Sequence, residues 1–567
     1  MLQLSDIVVE RGPVENPQAL LKDISLFYPA GHFAAIVGAS GCGKSTLLKV
    51  IAGLMESTNG KIHWRGRDLA EEHDLEPAEL GYVPQFSIFH DHLTVWECAH
   101  NACRLRVGGL AGRDVRERVS QILEYVGLLE ISDRRASVLS GGQRRRLGLA
   151  LELVSNPALL LCDEVTSGLD PKAEDEIVKL LRHLASGERT VLSVTHSLRH
   201  LHVYDSVTVL NQGTLAYQGP PDFLLEYFSA SSPENVFPRL AEEEPGFWLE
   251  KLHTYKAVLP KQAQASGEIL SFNQAEMDEA PPEPAGFFMQ FWILFCRRWR
   301  LFLRDHAQLG LQLSLLVVFP LVVILFAYNG LPQIQNMSME ADPSILQVMK
   351  ERLEFNIQTT HIGSLVSGLV MFQVVLLTLM GSNNAAREIA SERLIFEKEK
   401  LGGLNVGSYL AGKLGFLVFL VAAQSVCMAF AVKIVCRLPG DPIQELLLLF
   451  LANLAMTVVC LAISSWSRTT EQASLISIYL VGFQLPLSGA VLALPDFLGT
   501  VVRPFIAAYW SWSGYIQSMR DTRFYDLVAS ITLTPLAEVP LCIWVLVFHI
   551  LTGLLLAWLG GIRSQWE

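Results

Sequence analysis

Apolar and polar positions follow two different patterns along the chain. From Met1 to about Tyr227, short apolar runs of strand length alternate with polar stretches of helical spacing, which predicts an α/β domain. From Ala307 to Leu559 the apolar runs are longer, and several exceed 18 residues without a charged side chain. Because runs of that length are typical of membrane-spanning helices, the sequence predicts an α/β domain followed by an all-α membrane domain.

The membrane half contains six candidate spans of about 20 residues, the length that crosses a bilayer. They are Leu309–Tyr328, Ile362–Gly381, Leu414–Val435, Leu446–Trp466, Ala473–Leu494 and Pro540–Leu559. Basic residues favour placing both ends of this half on the inner side of the membrane, since five of them lie between Arg387 and Lys413. Buried helices of a large soluble protein are the alternative, and the long uncharged runs argue against it.

Two segments separate the predicted domains, which cover residues 1–228 and 307–567. Residues 229–285 are rich in Pro, Glu, Ala and Ser, which predicts a partly mobile linker. Residues 286–306 combine aromatic and basic side chains and predict an amphipathic connecting helix along the membrane surface.

Composition excludes several classes of protein. The chain of 567 residues is 51% hydrophobic and only 18% charged, which argues against both disorder and a purely soluble enzyme. Its formal net charge of −12 makes a nucleic-acid partner unlikely to be held by a basic face, so none is expected. The nine cysteines include no CxxC pair, which excludes a disulfide framework and a zinc module.

The strongest local motif is a glycine-rich loop between an apolar run and a helical stretch, the context of a phosphate-binding loop. It comprises Gly38, Ala39, Ser40, Gly41, Cys42, Gly43, Lys44, Ser45 and Thr46. Its backbone N–H groups would surround phosphates, Lys44 would reach the β- and γ-phosphates, and Ser45 would ligate Mg²⁺. A glycine-rich turn that matches by chance is the alternative, and the flanking elements argue against it.

Further motifs follow in a fixed order. The run ALLLC ends in Asp163 and Glu164, so Asp163 is placed to hold the metal and Glu164 to orient or deprotonate a water molecule. An Asp-Glu pair that stood alone would more often be a solvated strand end or helix start. The remaining candidates are Gln85, the run Ser140, Gly141, Gly142 and Gln143 after Leu139, then Asp170, and His196.

Together these motifs resemble the ATP-binding cassette ATPases. The resemblance implies ATP and Mg²⁺ as cofactors, with Asp163, Ser45 and Gln85 at the metal and Glu164, His196 and Gln85 in catalysis. Ser140, Gly141, Gly142, Gln143 and Asp170 would contact nucleotide. The chain departs from the family in two ways: Val165 stands where proline is usual, and IVVERGPVENP lacks an adenine-stacking aromatic residue.

In that family, the signature loop Ser140–Gln143 completes the site of the other subunit. One chain with one phosphate loop and one signature loop therefore needs a partner, most simply a second copy in a two-fold dimer. A heterodimer with a different chain is the alternative. The same resemblance places the ATPase domain in the cytoplasm and the chain in the plasma (inner) membrane.

The order of the two halves resembles the G (White-type) subfamily, as do VPQFSIFHDHLTVWE, YQGPPDFLLEYF and REIASERLIFEKEK. This implies a half-transporter that exports an amphipathic or lipid-like substrate, with membrane lipid around it. The charged segment after the second span predicts a helix that docks on the ATPase. The stretch from Leu331 to His361 is longer than the subfamily leads us to expect, and predicts a small extracytoplasmic helix.

Carried over by position, the resemblance places a substrate path along the second and fifth spans. The residues concerned are Gln373, Leu377, Met380, Val491 and Leu492. Ordinary helix packing is the alternative for the apolar ones. Cys42, close to Lys44 and to a helix N-terminus, is expected either to be inert or to carry a thiol of lowered pKa.

Other functions remain as alternatives. An importer is less favoured, because such systems usually keep permease and ATPase on separate chains. A mechanotransmitter would need a larger outside domain, and intact Glu164 and His196 weigh against a regulatory ATPase. An exporter of polar glycans is a further alternative.

Overall fold

The computed structural model describes residues 1–12, 18–69, 75–185, 189–258, 282–328, 345–490 and 494–564. These residues form two compact units. The first contains residues 1–293 and 397–404, and the second contains residues 294–396 and 405–564. An α/β unit and a helical unit are thereby confirmed as the fold class.

The first unit is built on two sheets. The strands are β1 (Leu2–Arg11), β2 (Gln18–Tyr28), β3 (Phe33–Gly38), β4 (Asn59–Trp64), β5 (Arg67–Asp68), β6 (Leu80–Val83), β7 (Leu159–Asp163), β8 (Thr190–Val194), β9 (Ser206–Asn211) and β10 (Thr214–Gly219). One sheet has the order β10-β9-β3-β8-β7-β6, and is parallel except for the β10–β9 pair. The other is antiparallel, in the order β2-β1-β4-β5.

The parallel sheet explains why its strands are almost wholly apolar. Helices cover both faces of such a sheet, so its strands are buried on both sides. All residues of β3 and all residues of β7 and β8 are buried. The carboxyl ends of β3, β7 and β8 lie at one edge of the sheet, where open α/β sheets bind their ligands.

Helices of this unit connect or cover the strands. They are α1 (Lys44–Ile51), α2 (Val95–Arg106), α3 (Gly112–Tyr125), α4 (Gly141–Leu153), α5 (Pro171–Leu184), α6 (Leu224–Phe228), α7 (Val236–Glu242) and α8 (Pro245–Val258). The last two lie in the segment that composition assigned to a linker. They bury Val236, Leu240, Trp248 and Leu252. Apolar residues at helical spacing thus decide the structure here, and the linker prediction was wrong for this stretch; residues 259–281 lie outside the described residues.

The remaining helices begin with α9, which runs from the first unit into the second. They are α9 (Phe287–Arg304), α10 (His306–Tyr328), α11 (Ile345–Ala385), α12 (Arg393–Leu401), α13 (Val406–Cys436), α14 (Pro442–Trp466), α15 (Thr470–Gly482), α16 (Gln484–Leu487), α17 (Asp496–Val502), α18 (Ala507–Gln517), α19 (Arg523–Ile531) and α20 (Val539–Arg563). Helix α9 falls within residues 286–306, where the sequence predicts an amphipathic connecting helix. The end of α12 returns to the first unit.

Five helices among the described residues are long and apolar enough to cross a membrane. They correspond to the first, second, third, fourth and sixth predicted spans. The predicted fifth span is not one helix: α15 ends at Gly482, and α16 stops at Leu487. Pro486 and Gly489, whose φ is +77°, interrupt the helical hydrogen bonding that the apolar pattern alone would favour.

The second span also differs from its prediction. Residues 345–361 belong to α11 and continue directly into the span, so the described part of the expected extracytoplasmic helix is not separate; residues 331–344 lie outside the described residues. Gln373, Leu377 and Met380 are at most 1% exposed. They pack in the interior of the second unit and do not line an open cavity, while Val491 and Leu492 lie outside the described residues.

Candidate nucleotide site

The phosphate loop connects β3 to α1. Gly38, Gly41 and Gly43 have φ values of +155°, +79° and +101°, which side-chain-bearing residues rarely adopt. A loop with this backbone can surround an anion with its N–H groups. It leads directly into the N-terminus of α1, where an anion is favoured. Lys44 is 4% exposed, and its Nζ donates to the carbonyl oxygens of Gly38 at 3.0 Å and Ala39 at 2.9 Å.

A serine and an aspartate form the candidate metal site. Ser45 Oγ donates to Asp163 Oδ1 at 2.9 Å, and the Tyr82 hydroxyl lies 3.5 Å from Asp163 Oδ2. Burial raises the pKa of Asp163, and the neighbouring Glu164 carboxylate adds to this, while the Ser45 hydrogen bond opposes it. A divalent cation at these oxygens would favour the ionised carboxylate. Hydroxyl and carboxylate oxygens are also the ligands that Mg²⁺ prefers, so the residues fit the ion.

Three predicted catalytic side chains converge at the end of β7. Glu164 Oε1 lies 2.7 Å from His196 Nε2, and Glu164 Oε2 accepts a hydrogen bond from Gln85 Nε2 at 2.7 Å. The φ of Glu164 is +48°, a conformation that costs a residue with a side chain on the order of 1 kcal/mol. The backbone turn after Asp163 thereby aims the carboxylate at His196 and Gln85 instead of continuing the strand.

The signature loop is the N-terminus of α4. Ser140 caps this helix by accepting from Gln143 N, and Gln143 Oε1 accepts from Ser140 N at 3.0 Å. Ser140 and Gly141 are exposed. Asp170 caps the N-terminus of α5, since its Oδ1 accepts hydrogen bonds from Lys172 N and Ala173 N.

The structure brings the predicted residues into two groups. Gln85, Asp163, Glu164, His196, Lys44 and Ser45 lie at the carboxyl edge of the parallel sheet. The signature loop forms the second group, and no hydrogen bond among the described residues joins it to the phosphate loop. The sequence places Gln143 and Asp170 at the nucleotide. Among the described residues, their side chains form hydrogen bonds with the backbone at the starts of α4 and α5.

Cys42 differs from one of its two expectations. Its thiol is 4% exposed and lies 3.9 Å from Lys44 Nζ. Burial raises the pKa of Cys42, and the opposing effect of Lys44 is smaller. The hypothesis of a reactive thiol with a lowered pKa is therefore wrong, because desolvation outweighs the cation.

Sequence reasoning missed a buried ion cluster in the first unit. Glu152, on α4, is 1% exposed; its Oε2 is 2.6 Å from Arg106 Nη1, and its Oε1 is 2.8 Å from Lys398 Nζ. Lys398 lies in the stretch 397–404 that the chain returns to this unit. One signal was available: Glu152 interrupts the apolar run LGLALELV, and a carboxylate is rarely buried unless it is paired.

Two family models match successive parts of the chain. Residues 21–167 match the model of the ABC transporter family, and residues 289–520 match that of the ABC-2 type transporter. The two matches follow the order of the α/β unit and the helical unit along the sequence.

Many curated proteins are similar to the chain, and three of them illustrate the range. The ABC transporter ATP-binding/permease protein Rv1747 of Mycobacterium tuberculosis is 28% identical over 84% of this chain and 53% of its own length. The uncharacterized ABC transporter ATP-binding protein YxlF of Bacillus subtilis is 33% identical over 42% of this chain and 78% of its own length. The ABC transporter G family member 14 of Arabidopsis thaliana is 34% identical over 38% of this chain and 34% of its own length. The chain thus covers about half of the first relative and about a third of the last.

Proposed function

The chain belongs to the ABC transporter family, and from this premise we propose that two copies form an ATP-driven exporter of an amphipathic or lipid-like substrate. Each copy supplies one phosphate loop and one signature loop. The transporter lies in the plasma (inner) membrane with its ATPase domains in the cytoplasm. This is the arrangement of a G-type half-transporter.

The observation that carries the proposal is that the two loops begin different helices, α1 and α4, and share no hydrogen bond among the described residues. Lys44, Ser45 and Asp163 form one half of a nucleotide site at the sheet edge. Ser140 and Gly141 are exposed at the N-terminus of α4, where backbone N–H groups favour an anion. A second copy placed head to tail supplies the missing half to each site, so that a homodimer has two competent sites.

ATP hydrolysis is supported by the arrangement around Glu164. Its carboxylate accepts from Gln85 and lies within hydrogen-bond distance of His196. With Mg-ATP bound, we expect this carboxylate to orient the attacking water while Lys44 and the metal at Ser45 and Asp163 balance phosphate charge. Gln85 and His196 then hold the Glu164 carboxylate in place, and we expect them to sense whether a γ-phosphate is bound.

Coupling to the membrane half is supported by the path of the chain. Residues 397–404 belong to the first unit, whereas 294–396 and 405–564 belong to the second. Lys398 in this stretch pairs with Glu152 on α4, the helix that begins with the signature loop. We therefore expect the stretch to carry motion between the ATPase and the spans.

The substrate class rests on the apolar character of the helical unit. Among the described residues of this unit, five long helices each contain an 18-residue stretch with a mean hydropathy between 2.1 and 2.7. A path between such helices suits molecules with a large apolar part better than sugars or ions, which would lose hydration without gaining partners.

The test is ATPase activity of the full chain reconstituted in nanodiscs, with a panel of phospholipids, sterols, apolar amines and oligosaccharides. We expect amphiphiles to raise the Mg-ATPase rate and oligosaccharides to leave it unchanged. A matched preparation of Glu164→Gln reports hydrolysis by contaminating enzymes. Stimulation by oligosaccharides alone would favour a polar substrate, and no Mg-ATPase above the Glu164→Gln rate would overturn the proposal.

A further inference from the structure

Three consecutive arginines follow the signature loop on α4, and the middle one differs from its neighbours. Arg144 pairs with Asp91 at 2.7 Å, and Arg146 pairs with Glu176. Arg145 is half-buried. Its Nη1 atom is buried and has no hydrogen-bond partner among the residues that the structure describes. Because a buried donor without a partner costs free energy, we expect this guanidinium to gain a partner in another state of the protein.

The position of Arg145 on α4 identifies the loops beside it. Arg145 lies four residues after Gly141 and three before Gly148, so the three residues share one face of the helix. A Cβ atom at Gly141 would lie 3.8 Å from Leu169 Cδ2, and a Cβ atom at Gly148 would lie 3.7 Å from Ser87 Oγ. The side chain of Arg145 therefore leaves the helix between the loop that contains Leu169 and the loop that contains Ser87.

These two loops carry the candidate catalytic residues. Leu169 comes five residues after Glu164, and Ser87 comes two residues after Gln85. The electrostatics agree with this placement: burial lowers the pKa of Arg145, and the Glu164 carboxylate opposes this effect. The side chain of Glu164 is only 14% exposed, so water screens the attraction between the two groups less than it would at a surface.

We propose that Arg145 is a positioning residue for Glu164 of its own chain. Gln85 Nε2 donates to Glu164 Oε2 in this structure, although Gln85 is expected at the metal as well. The Arg145 guanidinium supplies a second, charge-assisted donor, so the carboxylate stays fixed when Gln85 turns away from it. Helix α4 then serves two sites, because its signature loop completes the site of the partner while Arg145 holds the glutamate of its own. This inference rests on the proposed function, ATP hydrolysis in a dimer.

The first experiment compares Arg145→Met with Arg145→Lys in the full chain, reconstituted in nanodiscs. We expect Arg145→Met to lower kcat for Mg-ATP by at least about tenfold, the effect of one charge-assisted hydrogen bond, and to leave KM unchanged. Arg145→Lys should retain most of the rate, because its ammonium still donates to a carboxylate.

Two comparisons separate this role from a structural one. Without nucleotide, the thermal midpoint of Arg145→Met should stay close to that of the wild type, because Nη1 has no partner to lose among the described residues. Arg146→Met is the matched control: it removes the same charge from the next position on α4, together with the ion pair to Glu176. We expect it to retain kcat.

A mixed dimer shows which Glu164 depends on Arg145. Pairing a Lys44→Ala chain with a Ser140→Asp chain leaves one intact site, which uses the phosphate loop and Glu164 of the Ser140→Asp chain. We expect Arg145→Met to lower turnover of the isolated mixed dimer about tenfold when it is placed on the Ser140→Asp chain. Placed on the Lys44→Ala chain, it should leave turnover unchanged.

Each other outcome overturns the proposal. A normal kcat in Arg145→Met removes Arg145 from catalysis, and an equal loss in Arg145→Lys or Arg146→Met shows that donation to the carboxylate is not the cause. A loss that appears only from the Lys44→Ala chain assigns Arg145 to the signature loop, and an equal loss from both chains shows a general effect on α4. If Arg145→Met does not fold, Arg145→Gln replaces it in every comparison. Wild-type hydrolysis no faster than that of Glu164→Gln is a different failure, because it refutes the proposed function and this inference together.

Discussion

The ammonium of Lys398 lies 2.8 Å from the buried carboxylate of Glu152, which Arg106 contacts from its other side at 2.6 Å. All three side chains are at most 8% exposed. Glu152 is near the end of α4, whose 13 residues extend for about 20 Å from the signature loop. Lys398 belongs to residues 397–404, which are preceded and followed along the chain by residues of the second unit. This stretch thus contacts the end of α4 opposite Ser140.

The first prediction concerns Lys398→Met. It leaves Glu152 buried with one cation instead of two, and the loss of a partner from a buried ion pair costs on the order of 3 kcal/mol. We expect a lower thermal midpoint, together with a basal ATPase rate that substrate no longer raises. Both are measured on the reconstituted chain.

Lys400→Met is the control for this prediction. Lys400 lies on the same helix, two residues away, and is partly exposed. We expect it to retain stimulation by substrate. Unchanged stimulation in Lys398→Met would show that this contact does not couple the ATPase to the spans.

The second prediction is a pH dependence of stability that originates at Glu152. Burial alone would raise the pKa of Glu152, but Arg106 and Lys398 together hold it below its ordinary value of 4.5. A carboxylate whose pKa is lowered by folding stabilises the folded state above its unfolded pKa, and this stabilisation is lost as the pH falls through the lowered value. We expect the stability difference between wild type and Glu152→Gln to be constant above about pH 5 and to shrink at lower pH. Denaturation midpoints across pH measure it, and a difference that grows towards acid pH would contradict the assignment.

The sequence was sufficient for the parts of the fold that depend on local pattern and motif order. The glycines of the phosphate loop, the buried strand that ends at Asp163, and five apolar helices could all be predicted, because each is encoded by adjacent residues. Contacts between residues that are far apart in the sequence could not be predicted in this way. Nothing near Lys398 in the sequence indicates that it contacts Glu152, which lies 246 residues earlier in the chain. The fifth span was predicted from hydropathy, which does not register that Pro486 and Gly489 break the helix.

The third prediction separates nucleotide binding from turnover at Glu164. Glu164→Gln keeps an amide that can still contact Gln85 and His196, but it cannot accept a proton from water. Since Lys44, Ser45 and Asp163 are untouched, we expect Mg-ATP to bind with unchanged affinity while hydrolysis falls by at least about a hundredfold. Binding is measured with a fluorescent ATP analogue, and turnover by phosphate release. Lys44→Ala is the contrasting variant, with both binding and turnover lost; normal hydrolysis in Glu164→Gln would refute the catalytic assignment.

The fourth prediction tests whether the two loops act across a dimer. Lys44→Ala inactivates the phosphate loop. Ser140→Asp places a negative charge at the signature loop but retains a residue that caps helices well, so that α4 still begins at the same position. We expect each variant alone to be inactive. A mixed dimer holds one site in which both loops are intact, so activity should return when the two are expressed together.

The size of this recovery is fixed by the pairing. Half of randomly formed dimers are mixed, and each mixed dimer has one intact site of two. If the sites act independently, this gives about a quarter of the wild-type rate for the unseparated mixture and about half for isolated mixed dimers. Tandem affinity tags isolate the mixed dimer for the ATPase measurement. Absence of activity in isolated mixed dimers would exclude composite sites of this kind, and activity of Ser140→Asp alone would remove Ser140 from the site.

The last prediction compares two buried glutamines in the second unit. Gln373 on α11 has no exposed surface, and neither its Nε2 nor its Oε1 has a hydrogen-bond partner among the residues that the structure describes. Gln424 on α13 is 1% exposed, but it donates to Gln312 and Asn384 and accepts from Asn384 and Asn453 at distances of 2.9 to 3.2 Å. A buried amide without partners costs about 1–3 kcal/mol, whereas removing a bonded one leaves its partners unsatisfied at a similar cost. We therefore expect Gln373→Leu to raise the thermal midpoint in nanodiscs and Gln424→Leu to lower it. A lower midpoint in Gln373→Leu as well would contradict the prediction. It would mean that the Gln373 amide has hydrogen-bond partners in the assembled membrane protein.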